Sequence, residues 1–249
     1  MIVSKLNHQL IDKKNRITYK KKILLKLIYE NYHKLIRKNL LKNKKFKIVE
    51  LGSGGGNIKK IIHDCITSDQ FKSKEIDKKI NIYNINLGKN SMRNVIMIDV
   101  FHHLRFPSLA LQEIKKILIK NGRLIMIEPA MGLIPRVIYK LFHYEPNGFN
   151  YKINWNRTSK KSLNKYKYFA AQSLPWRAFV LNELNLNNNF KVKKIEIFSD
   201  FSFLFSGGYS YPSLYPIIFY PVIKYIDLVL TFLSKRLFGA RMLIVLEKI

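Results

Sequence analysis

The segment Glu50-Leu-Gly52-Ser-Gly54-Gly55-Gly56 sets one carboxylate ahead of a run of glycines. Further on, Ile66-Thr-Ser-Asp69 ends on a second carboxylate. Two later segments, Asp99-Val-Phe101-His102-His103 and His143-Tyr-Glu145, group imidazoles with acids. Each pattern suits a different task. Bare backbone lets a ligand come close, and a carboxylate beside it selects for positive charge. Imidazole, which titrates near neutral pH, takes up or gives a proton.

The glycine turn follows an apolar run at Lys47–Leu51. It is not the dinucleotide fingerprint G-x-G-x-x-G, because Asn57 stands at the sixth position. It is not a phosphate loop either, since Gly-Lys-Ser/Thr is absent. Glu50 would repel a pyrophosphate but suits an ammonium or sulfonium, which points to S-adenosylmethionine (SAM). Asp69, at the end of the next strand, stands where an acid takes ribose hydroxyls. The plain alternative is a structural glycine turn.

The elements that must position these residues alternate. Residues 20–42 read as a basic amphipathic helix with Leu24, Leu27, Ile28, Leu35 and Ile36 near one face. Strands are expected at 47–51, 65–68, 81–85, 94–100 and 123–129, and later at 190–198 and 241–249. A helix is expected to start over 57–63. Another is expected over 107–120, with Pro107 in its first turn and Asn121-Gly122 at its end. Asn94–Val100 is almost continuously apolar, as a parallel strand covered on both faces requires. This alternation implies a doubly wound α/β fold. The expected division is an N-terminal helical region at 1–45 and one domain at 46–249. That domain carries cap insertions at about 130–189 and 200–240. Phe201–Tyr220, aromatic and rich in Gly and Pro, reads either as a lid over an apolar acceptor or as ordinary cap packing.

These residues resemble the class I SAM-dependent methyltransferases, in the small-molecule branch called type 11. The resemblance rests on "ELGSGGG", "ITSD", "IDVFHHL" and "LIKNGRLIMIEP", and it covers about residues 46–130. It implies a Rossmann-like, mostly parallel seven-stranded sheet with helices on both faces. It also implies that Glu50, Gly52, Gly54 and Gly56 face the methionine part of SAM and that Asp69 holds the ribose. Asn84 is the candidate for the adenine edge, because Tyr83-Asn84 stands where the family has Asp-Ala. Asp99 and Phe101 would line the cofactor near the reacting centre.

Methyl transfer to a hydroxyl also needs a proton acceptor. The catalytic candidates are His143, Glu145, His102 and His103, and no metal ligand set is assigned. His102 has a second reading as a helix cap, His143 with Glu145 as a structural pair, and Glu128 as a strand-end hydrogen-bond acceptor. The single cysteine, Cys65, excludes a disulfide framework and a cysteine zinc site. It also favours a reducing compartment. The N-terminal residues lack the apolar core of a signal peptide.

The net charge of +29 fits nucleic acid or anionic lipid. The lysines are spread along the chain, however, and Lys, Asn and Ile all use AT-rich codons, so the charge reads as compositional. Nucleic acid is not expected as substrate. The Asn/Asp-Pro-Pro-Tyr/Phe segment of amino-methylating DNA enzymes is absent, and Cys65 lies on the wrong strand for cytosine chemistry. The expected activity is methyl transfer from SAM to a small-molecule or lipid-like acceptor, at oxygen or carbon. The alternative is a peripheral membrane or SAM-binding protein without turnover. The expected location is cytoplasmic, with peripheral contact to an anionic membrane as a further expectation.

Overall fold

The computed structural model describes residues 5–55, 57–155, 168–186 and 189–249. Helices α1 (Lys5–Lys21) and α2 (Ile23–Asn39) come first. Leu24, Ile28, Tyr32 and Ile36 recur every fourth residue of α2 and are all buried, so this helix spends its apolar face on the sheet.

Strands β1 (Lys47–Leu51), β2 (Cys65–Asp69), β3 (Lys78–Lys79) and β4 (Met92–Ile98) follow. Helix α3 (Pro107–Ile117) leads into β5 (Leu118–Pro129). Helices α4 (Leu133–Phe142) and α5 (Leu174–Phe179) precede β6 (Phe190–Ser199). Helices α6 (Phe201–Phe205), α7 (Tyr220–Leu233) and α8 (Lys235–Phe238) lead to β7 (Gly239–Lys248).

The seven strands form one sheet in the order β3-β2-β1-β4-β5-β7-β6. Every pairing is parallel except β5 with β7 and β6 with β7. Alternate residues of the central strands feed opposite faces, as the period of two requires. Val95, Met97, Leu124 and Met126 join the core on one face, with Ile114 and Leu174. Ile96, Ile98, Ile125 and Ile127 join the core on the other, with Ile28 and Ile36. The strand order reverses between β1 and β4, which opens a crevice at their carboxyl ends.

Three local expectations are corrected. The helix expected from residue 57 is one 3-10 turn, Asn57–Lys60. The link from Leu51 to Cys65 is short, and once Ile58 and Ile62 are buried little chain remains for further turns. The strand expected at 81–85 lies earlier, at Lys78–Lys79 beside Ser68 and Asp69. The Asn81 side-chain oxygen accepts the Tyr83 N–H at 2.9 Å, an Asx turn that competes with strand pairing. Asn121-Gly122 does not end α3, which stops at Ile117. Asn121 takes φ +61° inside β5, where the pairing skips from Met92–Leu118 to Asn94–Arg123 and the intervening residues loop out. Cap insertions stand between the late strands, as α4 and α5 and then as α6 to α8.

Candidate active site

The turn after β1 needs its glycines for separate reasons. Gly52 has φ +75°, and a Cβ there would lie 2.4 Å from Val100 Cγ2. Gly54 has φ +52°, and its Cβ would meet nothing within 4 Å, so this backbone faces open space. Gly56 lies outside the described residues. The turn is fastened to the end of β2: Ser53 N–H donates to Ser68 O at 2.8 Å, and Gly54 N–H to Asp69 Oδ2 at 3.1 Å. Glu50 is buried, and its Oε2 has no hydrogen-bond partner among the described residues. Burial, aided by the nearby Asp69 charge, raises its carboxyl to about 7 against the pull of a Ser53 hydrogen bond. A buried carboxylate with an open oxygen beside bare backbone fits the ammonium group of SAM.

Two cavities, each of about 300 Å³, open at the carboxyl ends of the strands. The first is lined by Glu50, His102, His143, Arg241 and residues of α4 and the 203–211 segment. The second is lined by Asp69, Asn81, Ile82, Tyr83 and Phe106. Gly52, Gly54, Asp99, His103 and Glu145 line both, so the cavities adjoin. Two expected residues are not brought in. Asn84 is exposed and lines neither cavity, and Asn81 to Tyr83 stand there instead. The Phe101 side chain is fully buried against the Phe179 ring and also lines neither.

A charged cluster joins the two cavities. Glu128, wholly buried, accepts the backbone N–H groups of Val100 at 2.8 Å and Phe101 at 2.6 Å. It thus caps the short turn that carries both histidines. It also accepts from His102 Nδ1 at 2.8 Å, while His102 Nε2 lies 3.6 Å from Glu145 Oε2. Burial alone would lower the His102 ring, but its bonds to the two glutamates outweigh that and raise it to about 10. His103 Nδ1 donates to the Phe169 carbonyl at 3.1 Å, which leaves Nε2 3.9 Å from Glu145 Oε1. Tyr168 and Gln172 also donate to Glu145. Burial would raise the Glu145 carboxyl, but the two histidines and Tyr168 hold it below its usual range. The ligand atoms of His102, His103 and Glu145 lie within 4.8 Å of one another, as do those of Asp99, His102 and Glu128, with a cationic imidazole in each set rather than a neutral metal ligand.

His143 differs from the other two. Its Nδ1 accepts the Glu145 backbone N–H at 3.1 Å, so the neutral ring carries its proton on Nε2. It stacks on Tyr144, and burial lowers its pKa. The lone pair that a general base needs is already engaged.

Sequence reasoning missed several wall residues. Asp12 and Asn15 bring α1 against both cavities, and nothing in that mostly polar, basic helix marked them. Arg241, at the start of an apolar run, is buried and pairs with Asp99, whose other oxygen accepts from Tyr29 Oη at 3.0 Å. A lone charge ahead of "MLIVL" was the available signal.

A parallel sheet reversing at β1 and β4, a glycine turn between two acid-bearing strand ends and a closing antiparallel strand define a Rossmann-like cofactor-binding domain. Residues 49–126 match the family model described as a methyltransferase domain. No curated protein matches the chain. Among solved structures, geranyl diphosphate C-methyltransferase from Streptomyces coelicolor A3(2) is 12% identical. The match covers 90% of this chain and 81% of that one, with a TM-score of 0.53. A geranyl diphosphate methyltransferase in complex with SAM is 11% identical, with 90% and 87% covered and a TM-score of 0.53. At such identities the likeness is one of fold. Over residues 49–126, under a third of the chain, the sequence is similar to a class I methyltransferase domain of the kind that uses SAM.

Proposed function

We propose that the chain transfers the methyl group of SAM to a small-molecule acceptor seated in the first cavity. The observation that carries this reading is the pair of adjoining cavities, one reaching Asp69 and the other Glu50, with His103 and Glu145 on their common wall. When bound, SAM supplies a methyl group already activated on a cationic sulfur. In this reading Glu50 holds the ammonium group, with the backbone of Gly52, Gly54 and Gly56 against the methionine chain. Asp69 takes the ribose hydroxyls, Asn81 to Tyr83 border the adenine, and Asp99 with Arg241 forms the floor. His103 is the base for an acceptor hydroxyl, with Glu145 stabilising the imidazolium that results. His102, kept cationic by Glu128, stands behind them as a fixed positive charge.

The finer reading is a lipid-like acceptor methylated at oxygen or carbon. Ile138, Phe142, Phe203, Leu204 and Tyr211 give the first cavity an apolar and aromatic wall. A cytoplasmic location with peripheral contact to an anionic membrane completes the proposal. The alternative, SAM binding without turnover, has no observation in its favour.

The test is mass spectrometry of cell extracts incubated with the protein and isotopically methyl-labelled SAM. A labelled small molecule that appears only with active protein is the expected result. Label found only in protein or nucleic acid, or tighter calorimetric binding of NAD than of SAM, would sink the reading.

A further inference from the structure

Helix α7 is built inside out. Its single buried residue is Asp227, whose carboxylate accepts the backbone N–H groups of Phe201 at 2.6 Å and Ser202 at 3.2 Å. The apolar residues of the helix face outward instead: Tyr225, Leu228, Leu233 and, at 91% exposure, Phe232. The turn before it adds Leu214 and Ile218, each 76% exposed. Helix α8 touches both α7 and α4, and α4 presents Leu133, Val137, Leu141 and Phe142 to solvent. These exposed side chains lie on elements packed against one another, where soluble monomers rarely leave large apolar patches uncovered.

The charge on this surface has one sign. From Phe201 to Ala240 the only acidic residue is Asp227, which is buried, while Lys235 and Arg236 are exposed. Helix α4 has Arg136 and Lys140, both exposed, and no acid. No helix among the described residues is long and apolar enough to cross a membrane. A helix with an apolar outer face, too short to span and with basic residues on the neighbouring α8 and α4, suits the plane of a membrane surface. Phe142, Tyr144 and Tyr211 belong both to this exposed surface and to the lining of the first cavity.

We propose that the face formed by α4, α7, α8 and the 211–219 turn docks on an anionic lipid bilayer, and that the acceptor enters the first cavity from it between Phe142 and Tyr211. The route for the acceptor rests on the methyl-transfer reading, whereas the docking does not. Basic residues near an anionic surface each add attraction, which salt screens. Helix α2, the other basic amphipathic segment, has no part in this, because its apolar side is buried.

The experiment is co-sedimentation of the full chain with vesicles of phosphatidylcholine, alone or mixed with phosphatidylglycerol, at low and high salt. The double substitution Leu228→Glu and Phe232→Glu alters two exposed side chains, and retained SAM binding checks its fold. The chain is expected to sediment with the mixed vesicles, less with phosphatidylcholine alone, and less at high salt. The double variant is expected to lose at least about tenfold in partitioning at unchanged SAM affinity. Three outcomes would overturn the proposal: no sedimentation with either vesicle, equal sedimentation of the double variant, or self-association that the double variant abolishes in a chain that ignores vesicles. Vesicle binding by a chain that shows no methyl transfer would instead sink the methyl-transfer reading and leave the docking standing.

Discussion

Two glutamates at the ends of neighbouring parts of the sheet have opposite surroundings. Glu128, near the end of β5, is saturated: two backbone N–H groups and the His102 ring are bound to its oxygens. Glu50, near the end of β1, is equally deep but keeps Oε2 unpartnered among the described residues. A saturated buried carboxylate fixes structure, because every lone pair that matters is already used. An unsaturated one is costly until something completes it. The β5 side therefore reads as machinery assembled before any ligand arrives, and the β1 side as a socket that the cofactor fills. The two sides should fail differently when mutated.

The largest effect belongs to the assembled side. His103→Ala and Glu145→Gln should each lower turnover by roughly 10²–10⁴ while SAM affinity stays near normal. His143→Ala should cost less than about tenfold, below the range of a lost general base, because its Nδ1 lone pair already serves the Glu145 backbone. Single-turnover rates and calorimetric SAM titrations of the three variants decide this. A large loss in His143→Ala with His103→Ala unaffected would reverse the assignment.

The next effect belongs to the socket. Asp69 Oδ2 accepts the Gly54 N–H, and the residue lines the second cavity. Hydrogen bonds to a charged group are worth roughly 1.5–3 kcal/mol, so Asp69→Asn should weaken SAM by about ten- to a hundredfold. Turnover should return at saturating SAM, which the variants of the assembled side cannot show. Normal SAM affinity in Asp69→Asn would mean that the ribose lies elsewhere.

The same contrast explains what could be read from sequence. Glu50, the glycines and Asp69 sit at strand ends, and their roles follow from local order along the chain. The histidines and Glu145 were recognisable as residue types, but their pairings were not. His102 meets Glu128 and Asp99 meets Arg241 only because the sheet brings β4, β5 and β7 side by side. Asn84 was misplaced because a side-chain turn at Asn81 ended the strand early. Helix α7 was legible only as an apolar run: the side turned inward is the one holding Asp227, and no periodicity says which face meets the protein.

The smallest expected effect tests the socket by pH. Burial holds the Glu50 carboxyl at about 7 in the folded chain against an ordinary 4.5. A carboxyl with a raised folded pKa favours folding in its neutral form. That contribution is fully present below pH 4.5 and is lost as pH rises through 7. The difference amounts to about 3 kcal/mol. The cofactor-free chain should therefore lose stability from this group between pH 5 and about 8, and Glu50→Gln should remove that loss. The ammonium of SAM needs the charged form, so SAM affinity should rise about tenfold from about pH 6 to pH 8 as the carboxyl ionises. Glu50→Gln should bind SAM weakly at every pH while melting higher than the parent near pH 8. Melting curves across pH, with and without SAM, show both signs in one series. A Glu50→Gln variant that melts lower than the parent at pH 8 would mean that a partner within the fold already completes Oε2, and the socket would then lie elsewhere in the crevice.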